Sequence, residues 1–168
     1  MKKFKCSRLT DLLPKEEIGK LLNKLGIEQH QCHMNSYYLG NWIERHIDVG
    51  YVYIVSCTFT DEDGNPMIHF PHNVIKVGDK YYDPTRELNA INNKNYDFDE
   101  EEEFCVVCEY DLNQYFNICR PFESWITPFE FQYKDGKIVR YEGMKEIEVD
   151  TTNVQGEYNK LIEYIKSL

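Results

Sequence analysis

The sequence predicts an α+β fold, and three observations lead to this prediction. Two stretches before residue 50 carry apolar residues at helical spacing. Between residues 50 and 143, several segments are rich in β-branched and aromatic residues and are separated by turn residues. Residues 157–168, "EYNKLIEYIKSL", return to helical spacing. We therefore expect N-terminal helices packed on an antiparallel sheet, followed by a C-terminal helix.

The two N-terminal helices have clear boundaries. The segment at residues 14–26, "PKEEIGKLLNKLG", has Pro at its start, acidic residues in its first turn and Gly at its end. The segment at residues 31–46 should begin near Cys32, and its Gly40 allows another element to approach closely. Four residues of this second helix are expected to form its packing face: Met34, Tyr38, Trp42 and Ile43.

The strands follow in order. Residues 50–60, "GYVYIVSCTFT", are apolar almost throughout, which favours a central strand covered on both faces. Residues 73–83, "NVIKVGDKYYD", predict a hairpin that turns at Gly78 and Asp79. Further strands are expected at "FCVVCEYDL" and in "FEFQYKDGKIVRYEG", with a turn at Asp135 and Gly136. The chain of 168 residues has no linker composition and no repeat, so we expect one domain over residues 1–168.

Charge and composition exclude several classes of protein. The formal net charge is -10 at pH 7, which disfavours nucleic acid and anionic membranes as partners. The acidic run "DFDEEEEF" is expected to be a solvated loop, with recognition of a basic partner as the alternative. The sequence shows neither a signal-peptide pattern nor about 18 consecutive apolar residues. We therefore expect a cytoplasmic protein whose six cysteines are thiols.

The predicted hairpin places a histidine beside an acid. If Gly78 and Asp79 form the turn, Val74 faces Asp83 across the two strands, and His72 lies on the same face as Val74. His72 and Asp83 are then diagonal neighbours, close enough for the carboxylate to accept a hydrogen bond from the imidazole. Taken alone, His72 reads as a surface residue at a strand end and Asp83 as the start of a turn.

Cys32 is the candidate partner of this histidine. It lies at the predicted start of the second helix, where unpaired N–H groups and the helix dipole stabilise a thiolate. The same N–H groups are suited to bind an oxyanion on a substrate carbonyl. Cys32, His72 and Asp83 therefore have the residue types of a nucleophile, a base and an orienting acid, with no metal or cofactor needed. The alternative for Cys32 is a buried thiol on an amphipathic helix.

These residues resemble the papain-like and transglutaminase-like cysteine enzymes, in which Cys, His and Asp or Asn follow in this order along the chain. A closer resemblance is to short bacterial and phage proteins of uncertain activity with C-x-x-N, a G-Y-V segment, a histidine strand and D-P-T. The matching stretches are "CHMN", "GYVYIVS" and "HNVIKVGDKYYDPT", which lie within residues 31–86. The resemblance implies a papain-like fold. It also implies acyl transfer through a thioester, in which Cys32 attacks a carbonyl, His72 shuttles the proton and Asp83 holds the imidazole.

Three further residues are candidates for binding or orienting a substrate. Asn35 matches the last position of C-x-x-N, and its alternative role is a hydrogen bond on the helix surface. Gln31 lies closer to Cys32 than the oxyanion glutamine of papain-like proteases does, so that role stays unassigned. Trp125 can wall a substrate cleft or pack in the core. The bacterial and phage proteins often have Ala-Trp after the histidine, where this chain has Asn73 and Val74.

Two other functions compete with thiol catalysis. A metal site is suggested by His69-x-x-His72, by the closeness of His30, Cys32 and His33, and by Cys105-x-x-Cys108. The last pair lies in a predicted strand, where the two side chains point to opposite faces. We therefore expect no metal. The second alternative is a non-catalytic acidic module that binds a protein partner. Among the enzymatic reactions, those of a peptidase, a deamidase, a transglutaminase and an acyltransferase all remain open. Hydrolysis of an amide in a protein or peptide is expected first, because water needs no second binding site.

Overall fold

The computed structural model describes residues 2–119, 131–135, 137–142 and 145–148, and it confirms the α+β class. The chain divides into two compact units, Met1–Leu112 and Asn113–Leu168. The prediction of one domain over residues 1–168 stays a prediction. The first unit contains, in chain order, β1 (Lys3–Ser7), a 3₁₀ helix (Leu9–Asp11), α1 (Lys15–Lys24), α2 (Cys32–His46), β2 (Val52–Thr60), β3 (Pro66–Val77), β4 (Lys80–Tyr82), α3 (Pro84–Asn92) and β5 (Glu103–Asp111). A fourth helix, α4, spans Leu112–Cys119.

The strands of the first unit form a small closed barrel in the order β1, β4, β3, β2, β5. The pairs are antiparallel except for β1 and β4, which are parallel. Strand β1 closes the barrel because it pairs with β4 on one side and with β5 on the other. Among the described residues, the sheet therefore has no unpaired edge strand. The chain therefore begins with a strand, whereas the sequence predicted helices first and an entirely antiparallel sheet.

A buried cluster links the strands of the barrel. Its aromatic centre is Phe4, whose ring lies 4.0 Å from that of Tyr81 and 5.4 Å from that of Phe104. Val74 of β3 belongs to the same cluster. Because side chains two residues apart share a face of a strand, His72 points to the same side of β3 as Val74.

The hairpin of β3 and β4 has the predicted register. Val77 pairs with Lys80, Lys76 with Tyr81 and Ile75 with Tyr82. Gly78 adopts a positive φ of 59°, a conformation that tight hairpin turns often require and that glycine adopts at little cost. Strands β2 and β5 also lie where they were predicted.

The two N-terminal helices are confirmed, but the packing face of α2 differs from the prediction. Its buried residues are Asn35, Ser36, Leu39, Gly40 and Ile43. Of the four residues expected on this face, only Ile43 is buried; Met34 and Trp42 are partly exposed, and Tyr38 is 36% exposed. A Cβ atom added at Gly40 would lie 3.3 Å from Val52 and Leu112 side-chain atoms, so the glycine permits the close approach of helix and barrel.

Helix α3 was not predicted, and it buries charged residues. The carboxylate of Glu87 accepts hydrogen bonds from the Arg8 guanidinium at 2.9 and 3.1 Å and from the backbone N–H of Leu9 at 2.7 Å. The Arg86 guanidinium donates to the Asp99 carbonyl at 2.8 Å and pairs with Glu102 at 2.9 Å. These bonds compensate the burial of two charges on one short helix.

The second unit contains a three-stranded antiparallel sheet. Strands β6 (Phe131–Lys134) and β7 (Lys137–Glu142) form the hairpin predicted around Asp135, and β8 (Lys145–Glu148) adds a strand that was not predicted. Trp125, Gly136 and the predicted helix at residues 157–168 lie outside the described residues. In the part of the chain that is described, none of the helices combines the length and apolarity needed to cross a membrane.

Candidate active site

Asp83 holds His72 and begins α3 at the same time. Its Oδ2 lies 2.5 Å from Nε2 of His72. Its Oδ1 accepts hydrogen bonds from the backbone N–H groups of Thr85 and Arg86, both at 3.0 Å, and so caps the helix. His72 is 8% exposed and Asp83 is fully buried. The carboxylate is thus fixed from both sides, and its orientation fixes the imidazole.

Aromatic rings confine the His72 imidazole. The ring of Phe59 on β2 lies 5.6 Å from it, and the ring of Phe104 on β5 lies 6.0 Å from it. The resembling proteins often supply an aromatic residue two positions after the histidine, where this chain has Val74. Here, two neighbouring strands supply the aromatic contacts instead. Since Nε2 bonds Asp83, the other ring nitrogen, Nδ1, is the one left for the sulfur of Cys32.

Cys32 lies at the start of α2, where the sequence placed it, and it interacts with His72. Burial acts to raise the pKa of the Cys32 thiol, but hydrogen bonds with His33 and His72 and the charges of both imidazoles outweigh it and lower the pKa to about 6. Burial likewise acts to lower the pKa of His72, but the charge and hydrogen bond of Asp83, together with the interaction with Cys32, raise it to about 10. A thiolate and an imidazolium therefore coexist between about pH 6 and pH 10.

His33 is a residue of this site to which the sequence reasoning gave no catalytic role. Its Nδ1 lies 3.3 Å from Sγ of Cys32. Consecutive helical side chains ordinarily diverge by about 100° around the axis, so sequence spacing gave no signal for this contact. The only hint in the sequence is the adjacency of Cys32 and His33, which is also typical of a metal site. Both residues are partly exposed, unlike His72 and Asp83.

Asn35 connects the two short motifs that carry the resemblance. It is fully buried, and its Nδ2 donates to Oγ1 of Thr85 at 2.8 Å and to the Glu28 carbonyl at 2.6 Å. Its Oδ1 accepts from the Glu28 backbone N–H at 3.1 Å. The side chain therefore joins the segment before Cys32 to the first turn of α3. The side chain is therefore bound in the interior and not on the helix surface, and its role in orienting the site stays a prediction.

A second buried network sets α2 against β3. The Ser36 hydroxyl donates to the backbone carbonyl of Asn73 at 2.9 Å, and the Ser56 hydroxyl donates to Oδ1 of Asn73 at 3.0 Å. All three residues are fully buried. Ser36 lies one turn after Cys32, and Asn73 directly follows His72. The bond between Ser36 and Asn73 therefore fixes the start of α2, with its sulfur, relative to the His72 imidazole on β3.

Gln31, another sequence candidate, contributes its backbone to the start of α2. Gln31 is the N-terminal cap residue of α2, but its exposed side chain makes no capping hydrogen bond. Its carbonyl accepts the first helical hydrogen bond, from Asn35 at 2.8 Å. Immediately before it, His30 has a left-handed φ of 61°, which turns the chain into the helix. Among the described residues, no group of three or more His, Cys, Asp or Glu side chains is arranged to hold a metal ion.

Comparisons with models of protein families, with curated proteins and with solved structures find no match to this chain. The geometry of the site is therefore the basis for any statement about function.

Proposed function

We propose that this protein is a cysteine-dependent acyl-transfer enzyme, with hydrolysis of an amide bond in a protein or peptide as its first expected reaction. One observation carries the proposal: the His72 imidazole is bound to the buried Asp83 carboxylate at 2.5 Å. An interaction with this imidazole helps to lower the pKa of the Cys32 thiol at the start of α2. A nucleophile, a base and an orienting acid in this order of contact are the requirements of a catalytic triad.

In the proposed reaction, the thiol proton of Cys32 already resides on His72 before the substrate binds, and Asp83 stabilises this imidazolium. The thiolate attacks the substrate carbonyl carbon, a C–S bond forms, and the carbonyl π electrons move to oxygen. The first backbone N–H groups of α2 have no partner within the helix, and they are suited to bind this oxyanion. Collapse of the intermediate breaks the bond to the leaving group, which departs with its electron pair and takes up a proton. Water then attacks the thioester and gives up a proton in turn, so that the acid is released and the thiolate is restored.

The order of these groups along the chain supports a relation to papain-like or transglutaminase-like enzymes. Cys32 opens a helix, His72 lies on a following strand, and Asp83 comes directly after the next strand. We propose this relation on the order of the residues and the geometry of the site. In the first unit these groups lie around a closed barrel. We propose that this barrel corresponds to the β-sheet of the papain-like fold.

Acylation of Cys32 by a p-nitrophenyl ester tests the proposal. The intact protein should gain the mass of one acyl group while nitrophenolate is released, and Cys32→Ala should abolish both signals. Asp83→Asn should slow acylation because it removes the charge that stabilises the imidazolium. Equal acylation of wild type and Cys32→Ala would show that the site is not a nucleophile, and the acidic binding module would then be the better hypothesis.

A further inference from the structure

The thiol of Cys32 interacts with two imidazoles whose surroundings differ. His72 is buried, is bound to Asp83 and is confined by two aromatic rings. His33 belongs to α2, is partly exposed, and reaches the sulfur with Nδ1 at 3.3 Å. Because the helix itself does not bring consecutive side chains together, this contact reflects the orientation of the His33 ring towards the sulfur. The reacting atom is therefore contacted by an imidazole that the triad does not use.

The environment of His72 suits it to stabilise charge and makes it a weak proton donor. Burial acts to lower the pKa of His72, but the Asp83 carboxylate, with a further contribution from Cys32, raises this pKa to about 10. The Cys32 contribution disappears when the sulfur is acylated, but the Asp83 contribution remains. A general acid works best when its pKa lies near the working pH, so an imidazolium held by Asp83 gives up its proton slowly at neutral pH.

We propose that His33 is a second catalytic residue, which donates the proton to the leaving group when Cys32 is acylated; this rests on the proposed acyl-transfer function. Nδ1 of His33 lies 3.3 Å from the sulfur and the residue is partly exposed, so its imidazole is within reach of a leaving group on the carbon that the sulfur attacks. His72 keeps its proton throughout the cycle as the charge partner of the thiolate and of Asp83.

The steps balance in atoms, protons and electrons. The Cys32 thiolate forms a bond to the carbonyl carbon, and the bond from that carbon to the leaving group breaks. The leaving group takes its electron pair from the broken bond and its proton from the His33 imidazolium. In the second half, neutral His33 takes a proton from water, the hydroxide oxygen bonds the thioester carbon, and the C–S bond breaks to restore the thiolate. The net reaction consumes one water and releases an acid and the protonated leaving group.

The test compares two esters of the same acid that differ in their need for a proton. A nitrophenolate leaves as an anion, whereas the alkoxide of a methyl ester needs a proton as it leaves. Acylation of Cys32 is measured for each ester by intact-protein mass spectrometry at neutral pH. Each rate is divided by the fraction of Cys32 that is ionised at that pH, which is obtained from the pH profile of alkylation. This correction removes any effect of the variant on thiolate formation.

His33→Asn is the informative variant, because its side-chain amide can still donate a hydrogen bond near the Nδ1 position but cannot deliver a proton. We expect the corrected methyl ester rate to fall by about 100-fold or more, as general acid catalysis typically contributes, and the nitrophenyl ester rate to change less than about threefold. His33→Ala should show the same pattern. His46→Asn removes a histidine from the exposed end of the same helix and should change neither rate.

Each outcome decides the question. If wild type is acylated but His33→Asn lowers both rates equally, or lowers neither, then acyl transfer stands and the role of His33 is wrong. If His72→Ala shows the ester selectivity and His33→Asn does not, His72 is the proton donor. If neither ester acylates Cys32 in the wild type, the proposed function fails, and the role of His33 fails with it. Melting temperatures of all variants separate these effects from loss of fold.

Discussion

Replacement of His72 by Ala should raise the pKa of the Cys32 thiol, and the shift is best measured at acidic pH. In the wild type the thiol has a pKa of about 6, against an ordinary value of 9.0. Burial acts in the opposite direction, so the two imidazoles together account for the whole lowering. Removal of His72 takes away one of these two partners, while burial and His33 remain. The inflection of thiolate formation should therefore move upward from about pH 6 towards 9.0.

The size of the effect can be calculated for the limit in which the pKa returns to its ordinary value. At pH 6, about half of the wild-type thiol is ionised, against about one part in a thousand at a pKa of 9.0. This is a ratio of about 500. A thiolate of lower pKa is also a weaker nucleophile, with a Brønsted coefficient of about 0.4–0.5, which removes about 20-fold over three units. The wild-type thiol should therefore be alkylated about 25-fold faster than a thiol of pKa 9.0 at pH 6, and only about fivefold faster at pH 7.

The assay is alkylation by iodoacetamide between pH 5 and pH 9, with the labelled cysteine identified by peptide mass spectrometry. Four other thiols are buried, Cys6, Cys57, Cys105 and Cys119, and burial raises the pKa of the partly buried Cys108. Cys32 should therefore be labelled first in the wild type. His46→Ala, on the same helix, should leave the profile unchanged. An inflection near 9 in the wild type, or the same inflection in wild type and His72→Ala, would refute the assignment of His72 as the partner of the thiolate.

Three further predictions concern the groups around this pair. The pH profile of the wild-type acylation rate should be bell-shaped, because the thiolate is lost as the pH falls through about 6 and the imidazolium is lost as the pH rises through about 10. Asp83→Asn should move the alkaline limb of this profile to lower pH, and an unchanged limb would contradict the charge role of Asp83. Asn35→Ala leaves the Thr85 hydroxyl and the Glu28 backbone groups without this partner and should lower the free energy of unfolding in urea by about 1–3 kcal/mol; a loss below about 0.5 kcal/mol would contradict a buried bridging role. Gly19→Ala on α1 meets only ordinary contacts at 3.9 Å and should stabilise the protein by about 0.5–1 kcal/mol, while Gly40→Ala, with contacts at 3.3 Å, should give no gain; equal stabilisation by both would show that the approach of α2 to the barrel is loose.

Local patterns in the sequence predicted the parts of the fold that depend on local physics. Helix α1 has its start and stop residues within the segment, and the register of the hairpin follows from its two-residue turn. The diagonal relation of His72 and Asp83 follows from that register, so the sequence alone predicts their hydrogen bond. The start of α2 at Cys32 also follows from local spacing.

Elements that bury polar residues were missed, because a hydrophobic pattern does not report them. The inner face of α2 carries Asn35, Ser36 and Gly40, so the apolar residues Tyr38 and Trp42 suggested the wrong face. Helix α3 buries Arg86 and Glu87, and the partner of Glu87, Arg8, lies 79 residues away in the sequence. Asp83, Pro84 and Thr85 do form a helix start with Pro in its first turn, but the same three residue types also predict a simple turn.

Closure of the barrel depends on contacts that no local pattern contains. Strand β1 has five residues and pairs in parallel with β4, 75 residues away at Cys6 and Tyr81. Neither the parallel direction nor the closure is encoded by spacing within β1. The contact of His33 with Cys32 is a comparable case at short range, because it depends on a side-chain orientation and not on the position of the residue in the helix.

The two carboxylate oxygens of Asp83 make the reactivity of the Cys32 thiol depend on the folding of α3. One oxygen receives the backbone N–H groups that start α3, and the other receives the imidazole. A chain in which α3 has not yet formed lacks the bonds that hold this carboxylate in place, so the histidine has no fixed acid behind it. Partly folded molecules, such as those emerging from the ribosome, should then carry a thiol of ordinary reactivity and acquire the activated sulfur only with the native fold.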